Sequence, residues 1–208
     1  MGSELVAPYG LNKGKKKGTE FIIFARLVCM VRPACGGSEG RAIDSAHSPI
    51  TVYVYKTGIL SGFRHHHENN APIESGEGKD SENSSLELRI DSSELHVLDT
   101  DVSGDTRAKI QTKMLSAEAL DVGHFPEIHF QSTEVEAIGT DRWVMHGNLD
   151  LNGQSHPISF EVALKNGLYE GSAMLKQSDF GIAPVKVAGG AVVVKDEIKV
   201  AFSIALLT

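Results

Sequence analysis

His65, His66 and His67, followed by Glu68, are the densest group of chemically capable side chains in this sequence. Imidazole and carboxylate donors suit zinc or copper, and His96 or His124 could complete a ligand set. Successive residues of a strand point to opposite faces, so only His65 and His67 of the run can share one. A metal site needs three or four convergent donors, and a solvated polar loop or strand end is the plainer reading. The same histidines with Asp99 could act as the base of a hydrolase or isomerase, so one alternative is a metal-dependent enzyme built on His65 and His67.

The other reactive candidates are weaker. Asp99, Asp101 and Asp105 lack the glycine and terminal glutamate of a calcium loop and read as turn and cap residues. There is no Gly-x-Ser-x-Gly elbow, phosphate loop, dinucleotide fingerprint or His-Glu-x-x-His helix. Both cysteines, Cys29 and Cys35, precede residue 47, so the body of the chain has no thiol chemistry.

The charges are unevenly spread. Residues 1–46 hold seven Lys/Arg against four Asp/Glu, while residues 47–208 hold thirteen against twenty-three. An acidic body repels phosphate backbones and anionic membrane surfaces, which argues against nucleic acid as a partner. Lys13, Lys15, Lys16 and Lys17 precede an apolar run at 21–31, then Pro33 and small residues, the order of a secretory signal. That run is eleven residues long and contains Arg26, too short for a stable membrane span. Residues 1–46 are therefore expected to be a leader or disordered, and 47–208 the folded domain. Periplasmic or secreted is the expected location, and cytoplasmic otherwise.

The body is patterned for strands. Val52 and Val54 open a series of period two, and Leu86, Leu88 and Ile90 alternate with Glu87 and Arg89. Residues 74–85, rich in Gly, Ser and Glu, read as a long exposed loop or hairpin tip. Trp143, Met145, Leu149 and Leu151 share one face, Asn152-Gly153 supplies a type I′ turn, and Ile158, Phe160, Val162 and Leu164 return. Asn166-Gly167 turns the chain again, and residues 197–207 close it with Ile198, Val200, Phe202, Ile204 and Leu206 on one face. Closure into a barrel is how such a sheet avoids exposed edges. One helix is expected at about 105–119, capped by Ser103 or Asp105 and stopped by Gly123 and Pro126.

Three motifs carry a resemblance. Residues 120–133 read LDVGHFPEIHFQST, residues 147–153 read GNLDLNG, and residues 177–182 read QSDFGI. In this order, ahead of a long alternating final strand, they resemble the YceI-like family over roughly residues 50–207, with Ser-Asp-Phe-Gly-Ile the most specific piece. The resemblance implies an all-β, antiparallel, lipocalin-like up-and-down barrel of about eight strands with one inserted helix. It also implies a non-catalytic carrier of a long isoprenoid-type lipid, a polyisoprenoid or an isoprenoid quinone, in the periplasm. No cofactor other than that bound lipid is expected, and a homodimer is open.

Physical chemistry supports such a carrier independently of the name. Each buried methylene contributes about 0.8 kcal/mol, so a many-carbon chain can be held without a catalytic group. The inward faces nominate Trp143, Met145, Leu149, Ile158, Phe160, Val162, Val200 and Phe202 as lumen contacts, with Phe125 and Phe180 as plugs at the barrel ends and Phe180 also a ligand contact. Alternating apolar residues fill a solid core equally well, which leaves a purely structural or stress protein as the remaining alternative.

Overall fold

The computed structural model describes residues 40–57, 66–80, 84–100, 102–184, 186–187 and 192–208. Among these residues twelve strands form one antiparallel sheet: β1 (Arg41–Ala42), β2 (Ile50–Thr57), β3 (His66–Asn70), β4 (Ser75–Lys79), β5 (Ser85–Asp91), β6 (His96–Val97), β7 (Glu127–Gly139), β8 (Arg142–Leu151), β9 (Gln154–Lys165), β10 (Leu168–Lys176), β11 (Lys186–Val187) and β12 (Val192–Ile204). A single helix among the described residues, α1 (Gly104–Leu115), stands between β6 and β7.

The order across the sheet is β1-β4-β5-β7-β8-β9-β10-β12-β2-β3-β6, with β11 also on β12. The path then returns on itself. Ile43, just past β1, bridges Leu206, just past β12, while the Asp44 amide donates to the Ala205 carbonyl and the Leu207 amide to the Ala42 carbonyl. β1 and β2 are thus two arms of one kinked strand lying along β12. β3 and β4 are the matching arms of the next strand, since β2 pairs β3 and β1 pairs β4.

Each arm pair counted as one strand gives about eight around the ring, the number at which a barrel interior can be filled by side chains or hold one small ligand. The ring is closed at the β1/β4 end. It splays at the other, where among the described residues no bond joins β5 to β3 and the short β6 pairs β3 instead.

Local chemistry explains the turns. Asn152 and Gly153 have φ of 51° and 72°, and Asn166 and Gly167 have 51° and 82°, as type I′ hairpins require. Asp141, at φ 54°, makes the β7–β8 turn without a glycine. Ser103 caps α1 by accepting from the Thr106 amide.

Four expectations change. The helix ends at Leu115, because Ser116 breaks the register and the chain then coils through turns to Asp121, at φ 45°. Residues 75–79, expected in a loop, form β4 between β1 and β5. The last strand begins at Val192, not near 197, and absorbs a bulge between Val194 and Ile198 opposite β2. The sheet also takes in Arg41 and Ala42, with Ile43 buried in the core, although these residues precede the expected start at 47. The candidate signal segment, both cysteines, His65 and Asp101 lie outside the described residues.

Candidate functional site

The inward residues of the strands make one continuous core. Ile50, Leu88, Ile90, Phe130, Leu149 and Leu151 are among its buried members, and Val52, Ile158, Phe160, Val200 and Phe202 pack against them. Within it lies a cavity of about 160 Å³ whose wall is formed wholly by apolar residues drawn from β2, β5, β7, β8, β9, β10 and β12, with Leu95 and Leu120 from the connecting segments. A chamber of about 90 Å³ adjoins it at the splayed end, beneath Met114 of α1 and Leu120. A smaller one of about 50 Å³ lies at the closed end, bounded by Met145, Val162, Tyr169 and Leu206.

Three aromatic rings span the interior. Phe160 lies between Phe130 and Phe202, with centroid distances of 5.4 and 5.3 Å and tilted or edge-on geometry. Two lumen-facing glycines admit the flanking rings. A Cβ at Gly147 would stand 2.4 Å from Phe130 Cζ, and one at Gly171 would stand 2.5 Å from Phe202 Cζ. Phe202 borders both the main cavity and the chamber at the closed end.

The nine nominated contacts are placed as follows. Leu149, Ile158, Phe160, Val200 and Phe202 line the main cavity, Phe180 the chamber under α1, and Met145 and Val162 the chamber at the closed end. Trp143 lines none of them. It packs against Tyr169 with the rings tilted by 49° and their centroids 6.0 Å apart, and the Tyr169 hydroxyl donates to Asp80 at 3.2 Å. Burial first, and the neighbouring Asp80 carboxylate second, push the Tyr169 phenol above its ordinary value.

Of the two end residues, Phe180 is almost fully buried and meets His156 edge-on at 5.2 Å. Phe125 is instead exposed and lies over Gly153 on the outside. The Ser-Asp-Phe-Gly-Ile piece is a 3-10 turn (Gln177–Phe180) that seats Phe180. Its Ser178 amide and hydroxyl both donate to Asp196, which lowers the Asp196 carboxyl below its usual range, and Gly181 at φ 72° reverses the chain.

His67 departs from the plainer reading of the histidine run as a solvated loop. His67 is buried and faces inward, because antiparallel register sets it opposite Val54. Its Nδ1 contacts the buried Asp99 carboxylate, whose other oxygen accepts from the Glu68 amide at 3.0 Å. Asp99 is therefore a tertiary partner and not a turn residue. His96 is exposed beside Glu94, and His124 is exposed and bonded to Asp121, so neither joins His67. Among the described residues no three His, Cys, Asp or Glu side chains converge as a metal site would need.

Sequence reasoning missed Phe130, Leu120, Met114 and Asn69 as lumen residues. Phe130 alternates inward with Ile128 and was legible in principle, whereas Asn69 carries no signal without the register of β3 against β2.

Comparison with known proteins agrees with this geometry. A family model described as "YceI-like domain" matches residues 42–206. A UPF0312 protein of Pseudomonas paraeruginosa is 40% identical over 91 residues, 38% of this chain and 47% of the relative. A UPF0312 protein of Enterobacter is 33% identical over 95 residues, 41% of this chain and 49% of the relative. The matched region spans about half the length of these relatives. Among solved structures, Burkholderia cenocepacia BcnA superposes with a TM-score of 0.58 at 16% identity, covering 78% of this chain and 98% of BcnA, a likeness of fold.

Proposed function

This chain belongs to the YceI-like family, and on that premise we propose that its barrel binds a long apolar isoprenoid-type lipid, a polyisoprenoid or isoprenoid quinone, without catalysing its conversion. The observation that supports the reading is the apolar wall of the main cavity, about 160 Å³, which chambers of about 90 and 50 Å³ adjoin; together they have room for a few isoprene units, so a longer chain requires the lumen to widen. The main cavity by itself is smaller than the roughly 300 Å³ at which ligand pockets begin, so a solid structural core is the competing reading, and the wholly apolar lining is what favours the lipid. A dry, apolar chamber offers nothing to water and everything to a hydrocarbon chain.

The chambers at the two ends extend the cavity along the barrel axis, which suits a linear ligand better than a compact one. Phe130, Phe160 and Phe202 border the chain's path, and rotation of these rings is the means by which it widens. The basic-then-apolar order of the first residues supports storage or transport of the lipid outside the cytoplasm. No helix among the described residues is long and apolar enough to cross a membrane.

Organic extraction of the protein purified from a membrane-containing native source, followed by mass spectrometry, tests the reading. A prenyl lipid recovered in near-stoichiometric amount is the expected result. Its absence, with no prenyl compound able to bind the purified chain, refutes the proposal. Cell fractionation and sequencing of the mature N-terminus test the location.

A further inference from the structure

The two ends of the lumen are covered with unequal strength. At the closed end backbone joins backbone: Ile43 bridges Leu206, the Asp44 amide donates to the Ala205 carbonyl and the Leu207 amide to the Ala42 carbonyl. At the splayed end the cover has two parts. The 3-10 turn that seats Phe180 is fastened by the Ser178 amide and hydroxyl on Asp196, by Gln177 Nε2 on the Lys195 carbonyl and by Asn152 Nδ2 on the Phe180 carbonyl. The other part is α1, and its hold is far lighter.

α1 packs chiefly on the two-residue strand β6 and has no fully buried residue. Met114 packs against the core and roofs the 90 Å³ chamber, whereas Ile110 and Leu115 are half-buried outside that cluster. Among the described residues, Gln111 makes the only side-chain hydrogen bonds from α1 to the rest of the barrel, donating to the Leu95 carbonyl at 2.6 Å and accepting from the Val97 amide at 2.9 Å. Arg107 adds a cost to the seated helix, since its Nε is buried with no hydrogen-bond partner among the described residues.

The chain on either side of α1 is pinned. Before it, Asp99 is held by His67 and the Glu68 amide, and the Leu98 amide donates to the Glu68 carbonyl. After it, the Ser92 amide and hydroxyl donate to the Pro126 and Phe125 carbonyls. Between these pins Gly104 and Gly123 stand in open space, where an added Cβ would meet nothing within 4 Å, so neither end of the strap is wedged.

We infer that α1 is a lid, that it swings away from the splayed mouth to admit and release ligand, and that the two bonds of Gln111 set how often it opens. This rests on the reading of the lumen as a ligand chamber. The chamber beneath Met114 shares Val52, Leu95, Leu120 and Leu151 with the wall of the main cavity, so lifting the helix opens one continuous apolar path. The turns at 116–121 absorb the motion, as a hinge of a few residues does. The Gln111 bonds run to the backbone of Leu95 and Val97 and not to the ligand, so their loss raises entry and exit together and leaves affinity in place.

The experiment mixes the full chain with Nile red in stopped flow and then chases the dye with excess farnesol, which gives entry and exit rates separately. Gln111→Ala is expected to raise both rates about tenfold or more, the value of two neutral hydrogen bonds, with Kd changed by less than about twofold. Unchanged rates, or a change in Kd carried by the exit rate alone, overturn the lid. Where Gln111→Ala does not fold, Arg107→Met decides: without the orphaned donor the seated helix is favoured, and both rates should fall about threefold or more. Rates unchanged or raised in that variant overturn the lid. A dye that farnesol cannot chase, while Gln111→Ala still speeds its entry, refutes the prenyl-lipid reading and keeps the lid. A chain that takes up neither dye nor farnesol overturns both.

Discussion

Truncation of Phe160 to alanine separates a ligand chamber from a packed core more sharply than any other single change. Phe160 is half-buried, borders the main cavity and touches Phe130 and Phe202 at 5.4 and 5.3 Å. A fully buried Phe→Ala change costs about 3–5 kcal/mol. Because this ring is partly accessible and already faces open space, the expected loss is about 3 kcal/mol, of which the two ring contacts supply about 1–2 kcal/mol. Urea unfolding followed by fluorescence of the single tryptophan, Trp143, measures it in the empty protein.

The same change enlarges the path through the lumen. A prenol added at about one hundred times its Kd stabilises the folded state by about 2.7 kcal/mol, and the variant should accept longer prenols relative to the unaltered chain. An empty-state loss under about 1 kcal/mol would mean that the rings do not brace the interior. A full loss with unchanged chain-length preference would show that the lipid, if bound, lies elsewhere.

Two further changes test the frame around the lumen. Gly171→Ala sets a Cβ 2.4 Å from the Glu161 carbonyl oxygen, a backbone atom, as well as 2.5 Å from Phe202, so thermal unfolding should show a loss of about 1–3 kcal/mol with reduced prenol binding. Gln111 ties α1 to the sheet by donating to the Leu95 carbonyl at 2.6 Å and accepting from the Val97 amide at 2.9 Å. Since α1 has no fully buried residue, Gln111→Ala should cost about 1–3 kcal/mol and should speed hydrogen exchange in α1 and β6 more than in β8 and β9.

The pH dependence follows from two exposed pairs of opposite sign. Asp121 raises the pKa of His124, so that pair's contribution is complete below the unfolded value and is lost as pH rises through the raised folded value. An NMR titration should show His124 returning to its ordinary value in Asp121→Asn. Ser178 lowers the pKa of Asp196, so this contribution is present above the unfolded carboxylate value and disappears as pH falls through the lowered one. Ser178→Ala should therefore move acid unfolding to higher pH, and an unchanged acid midpoint would count against the pair.

Much of the barrel is written locally. The period of two from Trp143 to Leu151 and from Ile158 to Leu164, the Asn-Gly turns between strands, and the Ser103 cap each depend on residues within a few positions of one another. For that reason the meander β8–β9–β10 and the start of α1 were legible from composition and spacing alone. The family motifs gave these hairpins a specific barrel, where pattern by itself had argued closure only from the need to cover sheet edges.

Long-range register decided the rest. β4 reads Ser-Gly-Glu-Gly-Lys, with no apolar signal, and is a strand because β1 and β5 bond it from both sides. Its glycines also leave room for Ile43 and Leu206, whose side-chain atoms would lie 2.5 and 2.8 Å from added Cβ atoms. His67 meets Asp99 across 32 positions of sequence, and Asn69 enters the lumen only because β3 pairs β2 in one register; a shift of one residue would have turned it to water. Sequence by itself therefore determined which residues alternate, where the chain turns and that the interior is apolar, since those depend on neighbours along the chain. Tertiary structure alone decided that the interior keeps a cavity and that one of its ends is polar, because both are set by how distant strands meet.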